Sequence, residues 1–278
     1  MKKLLSLILC LFLLSGFTIQ DMQRILASKK SSSALWGGAA SGILDANCMG
    51  AWYMNGTSKN TETDRSGNGN TLTDSNTCEQ SATVPAGYSG NSRDFEESQG
   101  ADKLHCADGT ELDINGVDAT ISFGCWFKVE DIAVRDYQVI MGKGDLAGDG
   151  NEQYLVYTLE RDVNKFCIKC GISGNGTSYT FEQTTGQYDE GTWYHVIVIS
   201  DDVEISIYMN GALANTPSAH TSGIANGGEE FVIGARSDAD REFDGLIDEA
   251  IVFDRAITTA EVIDLYTNGI SGNTGQSD

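Results

Sequence analysis

The residues best suited to chemistry lie in the segment FDGLIDEAIVFDR, residues 243–255, where two neighbouring carboxylates interrupt an apolar run. Asp248 and Glu249 could form a catalytic pair, bind a metal ion or serve as ordinary strand residues. Adjacent side chains on a β-strand point to opposite faces of the sheet. A retaining glycosidase needs two carboxyl groups about 5–5.5 Å apart on one side of the sugar. This pair therefore cannot act together on one substrate.

The strands that would position the pair are visible in the hydrophobic pattern. One typical segment places apolar side chains at every second position, at Ile121, Phe123, Cys125, Phe127 and Val129. A period of two predicts a half-buried strand. The segment WYHVIVISDDVEISIYMNG predicts a hairpin that turns at Asp201 and Asp202. About a dozen such strands, joined by glycine-rich turns with no helices between them, predict an all-β antiparallel sandwich, or jelly roll.

One short helix is predicted near the C-terminus. Thr258 and Glu261 have the spacing of a capping box, in which each side chain bonds to the backbone of the other residue. Asn268 and Gly269 end the helix. The predicted apolar stripe consists of Val262, Ile263, Leu265 and Tyr266. We expect this stripe to close one side of the sandwich.

The chain divides into four predicted segments. Residues 1–20 combine two lysines with an apolar run, which is typical of a secretory signal peptide and too short for a membrane-spanning helix. A retained N-terminal helix and a true start at Met22 are alternatives. Residues 21–45 form a linker or interaction arm, 46–269 the jelly roll, and 270–278 a flexible tail. We expect a secreted or cell-surface protein with no membrane span in its mature chain.

The charge of the chain excludes one class of partner. The formal net charge is −22 and the sequence pI is about 4.3. Nucleic-acid binding requires a basic face that neutralises phosphates, so we expect no nucleic-acid partner. The many carboxylates leave oxygen ligands for a hard cation such as Ca²⁺, although most of them must be solvated surface residues.

Six cysteines follow the leader, which itself contains Cys10. An even number in a secreted chain predicts up to three disulfides. Zinc binding or redox chemistry at the C-x-x-C of residues 167–170 is a weaker hypothesis because no second C-x-x-C accompanies it, and free buried thiols are a further alternative. The disulfide candidates are Cys48, Cys78, Cys106, Cys125, Cys167 and Cys170.

The order of several motifs resembles one known family. The segments WYHVIVISDDVEISIYMNG, FVIGAR and FDGLIDEAIVFDRAITTAEVIDLY resemble the closing half of a laminin G-like, concanavalin A-like jelly roll. AWYMNGTSKNTETDRSGNGNTLT and SFGCWFKV are similar to its opening half. The resemblance covers about residues 47–268. Catalytic members carry E-x-D-x-x-E on a strand; here Leu246 replaces the first glutamate, so the resemblance implies a protein that is not an enzyme.

The resemblance also implies a structural Ca²⁺ that joins the loop DRSGNGN to the strand containing Asp248. Ca²⁺ binds six to eight oxygens, and glycine-rich loops turn carbonyl oxygens inward. The implied ligands are Asp64, Gly67, Asn68, Asn70 and Asp248. The alternative is a β-turn with a strand-end carboxylate that accepts hydrogen bonds from backbone amides.

Two further loops offer ligand-binding side chains, although either could be a solvated turn. The loop GKGDLAGDGNEQY lacks the order of an EF-hand and supplies Asp145, Asp149 and Asn151. The loop SDADREFD supplies Asp238, Asp240 and Arg241, whose mixed charges can hold sugar hydroxyls. Glycan binding also needs an aromatic platform, and the candidates are Tyr154, Tyr157, Tyr179 and Tyr188. Trp52, Trp126 and Trp193 are expected in the core.

Two functions from different classes follow, and a glycosidase, which the missing glutamate disfavours most, is a third alternative. The first is a secreted, Ca²⁺-stabilised carbohydrate-binding or adhesion module, whose partner is a glycan or glycoprotein surface. The second is a structural subunit of a filament, matrix or virus particle that self-associates through the N-terminal arm. An exposed aromatic and polar cluster on one face would favour the first function, and an arm docked on a neighbouring copy would favour the second.

Overall fold

The computed structural model describes residues 43–56, 60–76, 78–97, 102–109, 111–146 and 149–270. The predicted leader, most of the predicted arm and residues 271–278 of the predicted tail lie outside these ranges. The packed domain is longer than predicted at both ends, because Ile43 and Ile270 are 4% and 1% exposed. Ile43 and Leu44 form a short apolar pair after small residues, and Ile270 is a single apolar residue, so no periodic pattern marks either end.

The described residues form two antiparallel sheets whose strands are numbered in chain order. Sheet A contains β1 (Cys48–Trp52), β4 (Glu79–Ser81), β5 (Ser92–Phe95), β7 (Ile121–Val129), β13 (Tyr194–Ser200), β14 (Glu204–Met209), β15 (Ala212–Leu213), β16 (Ser218–Ala219) and β18 (Gly245–Phe253). Sheet B contains β2 (Thr61–Glu62), β3 (Leu72–Ser75), β6 (Lys103–Cys106), β8 (Tyr137–Lys143), β9 (Tyr154–Asp162), β10 (Lys165–Ile172), β11 (Thr180–Gln183), β12 (Tyr188–Asp189) and β17 (Phe231–Ile233). The predicted jelly-roll sandwich is confirmed.

The order of the strands brings distant segments together. Sheet A runs β15-β14-β13-β7-β18-β5-β4, with β1 on β18 and β16 on β14. Sheet B runs β11-β10-β9-β8-β17-β6-β3-β2, with β12 on β10. The predicted hairpin joins β13 to β14, with Ser200 opposite Ile205 and Asp202 in a positive-φ turn conformation. The main core lies between the sheets and includes the rings of Phe123, Phe127 and Phe231.

Strand β7 differs from the half-buried strand that its pattern predicts. Both of its faces are buried over most of its length. Phe123, Cys125 and Phe127 enter the main core, whereas Trp126 points to the other side and stacks on Tyr266 at 5.4 Å between ring centroids. The helix that supplies Tyr266 lies far along the chain, so the local pattern of β7 does not reveal this second packed layer.

Helix α1 (Thr259–Asn268) covers the outer face of sheet A. Thr258 and Glu261 form the predicted capping box, and Gly269 ends the helix with a φ of 72°. Val262 and Leu265 are buried, but Ile263 is 47% exposed. Its predicted place in the apolar stripe is therefore wrong, because only one narrow side of this helix faces the sheet. Within the described residues, no helix combines the length and apolarity that crossing a membrane requires.

Candidate functional site

The outer faces of the two sheets are built differently. On sheet A, the side chains of Ile197, Ile251 and Phe253 pack under helix α1 in a second buried core. On sheet B, no helix among the described residues covers the outer face. Its apolar residues are Val139, Leu155 and Tyr157, and they are covered by neighbouring side chains of Tyr137, Leu146 and Tyr179. Sheet B therefore presents its own side chains to the surroundings.

Strand register sets the first row of this outer face. Val139 of β8 lies opposite Tyr157 of β9, Tyr157 opposite Lys169 of β10, and Lys169 opposite Gln183 of β11. Residues opposite each other across antiparallel strands share a face and contact each other. The row therefore runs from an apolar centre at β8 to a polar edge at β11.

The second row contains two glycines and an exposed ring. Gly142, Leu155, Gly171 and Phe181 lie opposite one another in turn. A Cβ atom at Gly171 would lie 2.8 Å from the ring of Tyr179 and 3.0 Å from that of Phe181. Both rings therefore rest on the strand because residue 171 has no side chain. Their centroids are 5.4 Å apart, and Phe181 is 41% exposed.

Cations lie on these rings. The Lys169 ammonium is 4.3 Å from the Phe181 centroid and 6.0 Å from that of Tyr157. The Arg241 guanidinium is 4.3 Å from the Tyr137 centroid. Such distances are within the range of cation–π attraction. We call the outer side of sheet B at Tyr137, Tyr157, Tyr179 and Phe181 the aromatic face; Phe181 is exposed there, whereas Tyr157 is buried under its neighbours.

The loop that was predicted to supply Asp238, Asp240 and Arg241 borders the aromatic face. Arg236 donates to the hydroxyl of Tyr137 at 3.1 Å and binds the Asp238 carboxylate with both arms of its fork. Burial alone would raise the pKa of Asp238, but the hydrogen bonds and charge of Arg236 outweigh it and lower this pKa below its usual value. The Arg241 carbonyl accepts from Val139 N at 2.9 Å, which holds the loop against β8.

The loop that supplies Asp145 and Asp149 lies at the other end of β8. The structure brings carboxylate oxygens of Asp145, Asp149 and Glu229 within 4.8 Å of one another. The sequence pattern did not predict Glu229, which is far away in the chain. Asn151 is engaged in holding the loop, because its side-chain oxygen accepts from Gly228 N and its own N–H donates to Asp149.

Tyr154 is not a ligand-binding residue in this structure. It is fully buried, its ring lies 5.1 Å from that of Phe123 in the main core, and its hydroxyl donates to Leu112 O at 3.0 Å. The strand alternates sides, so Tyr157 reaches the outer face and Tyr154 does not. Among the other predicted platforms, Tyr179 lies on the aromatic face, whereas Tyr188 packs against the main core.

The loop DRSGNGN is organised around Asp64. One of its carboxylate oxygens accepts from Ala51 N and Ser66 N, and the other accepts from Ser66 Oγ and Asn70 N. The side-chain amide of Asn68 donates to Cys48 O and Met49 O, and that of Asn70 donates to Met49 O. These bonds match the alternative that the sequence left open, a turn held by a carboxylate.

These residues do not fit a cation in the present geometry. Both Asp64 oxygens are filled by N–H and O–H donors of Ala51, Ser66 and Asn70. Gly67, the remaining implied ligand, has a φ of 92°, which helps the loop to turn. Calcium binding by this chain stays a prediction.

A bulge in β18 interrupts the strand alternation that was expected to place Asp248 and Glu249 on opposite faces. Asp248 lies opposite Trp126, and its oxygen accepts from Glu249 N at 2.9 Å. Burial, together with the charge of Glu249, raises its pKa well above the usual range. A bulge with φ 51° turns Glu249 towards the end of α1, where it accepts from Ile270 N at 2.6 Å. Both carboxylates are buried, which removes them from any substrate on the surface.

The predicted disulfides are a further correction. All six described cysteines are free thiols. Cys167 and Cys170 lie three residues apart on β10, so they point to opposite faces and cannot bond. Burial raises the pKa of Cys48 to about 12 and that of Cys106 to about 11. These thiols fit the alternative of free, mostly buried side chains.

A separate concavity lacks the features of the aromatic face. It has a volume of about 340 Å³, and its lining includes four carboxylates. These belong to Glu111, Asp113, Asp118 and Asp254. No aromatic or cationic side chain lines it. Lys169 and Phe181 were not singled out from the sequence, although the alternation of Tyr179 and Phe181 with polar residues was a usable signal of one exposed strand face.

Known proteins resemble this chain in sequence and fold. Residues 100–263 match a laminin G family model described as the concanavalin A-like lectin/glucanases superfamily. Domain 4 of AbnA, an extracellular arabinanase from Geobacillus stearothermophilus solved in complex with arabinotriose, superposes with a TM-score of 0.56 at 18% identity. That match covers 80% of this chain and 98% of the other.

Two toxin structures share the fold as well. The binding domain of Paraclostridial Mosquitocidal Protein 1 superposes with a TM-score of 0.60 at 12% identity, over 83% of this chain and 56% of the other. A structure of botulinum neurotoxin type C, whose cell entry depends on two ganglioside molecules, superposes with a TM-score of 0.57 at 14% identity. That match covers 84% of this chain and 55% of the other. This chain thus spans little more than half the length of either toxin chain.

Proposed function

Because this chain belongs to the concanavalin A-like lectin/glucanase superfamily, we propose that it is a carbohydrate-binding module that holds glycans on its aromatic face without cutting them. One observation carries the proposal: Phe181 is exposed beside the ring of Tyr179, and the ammonium of Lys169 lies over it. An aromatic ring supports the apolar face of a sugar, and nearby charged donors bind its hydroxyls.

The similar structures support a glycan as the ligand. The arabinanase domain was solved with arabinotriose, and botulinum neurotoxin type C depends on gangliosides for entry. By analogy, we propose an extracellular or cell-surface role in glycan recognition and adhesion. Because fold alone does not determine function, we infer glycan binding by this chain from its aromatic face rather than from these neighbours.

The geometry of the carboxylates favours binding over cleavage. Asp248 and Glu249 are buried, and each accepts a hydrogen bond from a backbone N–H. Leu246 stands where the catalytic members of the family have a glutamate. A glycosidase requires two carboxyl groups that flank one bond, so we propose that this module has no hydrolytic activity.

A glycan array tests the proposal. The full chain is applied once in millimolar Ca²⁺ and once in chelator, beside the variants Phe181→Ala and Ile263→Ala. Both variants remove an exposed hydrophobic side chain, but Ile263 lies on α1 at the other side of the fold. We expect defined glycans to bind the wild type and Ile263→Ala, with the signal lost in Phe181→Ala.

The other outcomes are equally informative. Binding that disappears only in chelator would establish the predicted Ca²⁺ requirement, and binding that persists would limit calcium to a structural role at most. No binding by folded protein in either condition would overturn the proposal. Self-association measured by light scattering would then favour the assembly function, which depends on the predicted arm outside the described residues.

A further inference from the structure

The cations of this acidic chain are mostly neutralised within the fold. Among the described residues, ion pairs with carboxylates engage Arg93, Lys103, Lys128, Arg135, Lys143, Lys165, Arg236, Arg241 and Arg255. Arg161 and Lys169 differ, because neither lies in an ion pair with a described carboxylate. Both point to the outer side of sheet B, in a protein with a net charge of −22.

The two cations lie at the same edge of the aromatic face. Arg161 Nε is 3.1 Å from the sulfur of Cys167, and its Nη2 donates to Gln183 Oε1 at 2.6 Å. Gln183 lies directly opposite Lys169 across β10 and β11. Arg161, Gln183 and Lys169 therefore form a short polar strip beside the ring of Phe181.

This strip retains unused hydrogen-bond donors. Arginine has five N–H donors, and the two contacts of Arg161 leave others free in the planar fork that binds carboxylates and sulfates in pairs. Lysine has three donors, and the ammonium of Lys169 makes no hydrogen bond to a described residue. The cation–π contact only holds this ammonium above Phe181. Cations without a protein counterion attract an anion from the ligand.

We propose that the aromatic face selects sugars that carry an acidic group, either the carboxylate of a uronic or sialic acid or a sulfate ester, and that Lys169 and Arg161 bind this group. The inference rests on the proposed glycan-binding function. The Lys169 ammonium lies over the Phe181 ring, 4.3 Å from its centre, so an acidic sugar that contacts the exposed part of this ring has its charged group close to Lys169. Gln183 adds an amide donor between the two cations.

The size of the strip also limits the ligand. A highly charged polymer needs an extended basic surface, because its affinity grows with the number of its phosphates or sulfates that protein cations neutralise. Two unpaired cations surrounded by the carboxylates of a protein of net charge −22 match one or two acidic groups instead. The ligand is therefore a glycan with isolated acidic sugars rather than a polyanion.

Calorimetric titration with matched sugars tests this inference. The probes are sialyllactose against lactose, a glucuronate-terminated disaccharide against its glucose-terminated counterpart, and galactose 6-sulfate against galactose. The proteins are the full chain, Lys169→Gln, Arg161→Gln and the control Lys165→Gln, which removes an exposed lysine from the same strand. Thermal unfolding confirms that each variant is folded.

We expect at least one acidic probe to bind about tenfold more tightly than its neutral partner, the gain from one charge-assisted hydrogen bond. Lys169→Gln and Arg161→Gln should each reduce this preference, and Lys165→Gln should leave it unchanged. The sulfate and carboxylate arms identify which acidic group is selected. Tight binding of heparin in place of the small acidic sugars would overturn the inference in favour of a polyanion.

Phe181→Ala distinguishes a failure of the acidic-sugar preference from a failure of glycan binding itself. If acidic and neutral sugars bind equally well and both are lost in Phe181→Ala, the aromatic face binds glycans and the inference about acidic sugars is wrong. If the acidic preference survives both Lys169→Gln and Arg161→Gln, another site carries it and the inference also fails. If no sugar binds the folded wild type, the proposed function itself is wrong.

Discussion

The two sheets carry the same kind of inner face and opposite kinds of outer face. On sheet A, the residues that point outward are packed under helix α1, and the ring of Trp126 stacks on Tyr266. On sheet B, the outward rings of Tyr179 and Phe181 lie against Gly171 of β10, and the ammonium of Lys169 lies over the ring of Phe181. The comparison indicates that one outer face contributes stability and the other is available for binding.

The largest expected effect concerns the covered face. Trp126→Ala removes a buried ring that contacts Tyr88, His195 and Tyr266. We expect it to lower the free energy of unfolding by about 3–5 kcal/mol, because the cavity under α1 cannot close fully. Urea unfolding measures this loss. Phe181→Ala should cost under about 1 kcal/mol, and an equal loss in both variants would contradict the division between the two faces.

A smaller effect is expected where backbone and rings meet on the aromatic face. Gly171→Ala places a methyl group about 3 Å from the rings of Tyr179 and Phe181. We expect a destabilisation of about 1–2 kcal/mol, because the rings must lift from the strand, together with weaker glycan binding. Gly186→Ala is the control, since its Cβ would meet nothing closer than 3.8 Å. Unchanged glycan binding in Gly171→Ala would show that the resting position of the rings is irrelevant.

A substitution at the N-terminus of α1, on the covered face, should reduce stability and leave glycan binding intact. Thr258→Ala removes the side-chain oxygen that accepts from Glu261 N. The expected cost is about 1 kcal/mol of unfolding free energy, with no change in glycan affinity. Thr267→Ala, an exposed threonine in the last turn of the same helix, serves as the control. Loss of glycan binding in Thr258→Ala would mean that the two faces are coupled.

The smallest effect follows from crowded carboxylates at the edge of sheet A. Burial, with the charges of Glu130 and Glu96, raises the pKa of Asp94 to about 6. The folded state therefore binds more protons than the unfolded chain between about pH 4, the usual range of a free aspartate, and about pH 6. The contribution of Asp94 to the free energy of unfolding therefore falls as the pH rises through that range.

Asp94→Asn removes this pH dependence. We expect the melting temperature of the variant to exceed that of the wild type at pH 7 and to equal it near pH 4. Thermal unfolding at both pH values checks the result. A variant that is less stable than the wild type at pH 7 would contradict the sign assigned to Asp94.

Local patterns predicted the features that depend on neighbouring residues. The capping box at Thr258, the turn at Asp202 and the order of the family motifs are all short-range signals, and the structure confirms them. The alternation expected of Asp248 and Glu249 is interrupted by a bulge in β18, which the sequence did not show.

Long-range register accounts for what the sequence did not show. Lys169 and Phe181 meet because β10 pairs with β11, and Glu229 meets Asp145 from a distant loop. Tyr154 and Tyr157 are both tyrosines of β9, three positions apart, so they point to opposite faces. Only the packing of the sandwich shows that Tyr154 is the one that enters the core. The disulfide prediction failed for a related reason, since an even count of cysteines does not place any two of them together.

The most direct test is to map backbone amide chemical shifts while the preferred glycan from the array is titrated into the isotope-labelled full chain. We expect the largest shifts on β10 and β11, around Lys169, Gly171 and Phe181, with helix α1 unaffected. Shifts centred on the acidic concavity around Asp113 and Asp118, or on helix α1, would contradict the assignment of glycan binding to the aromatic face.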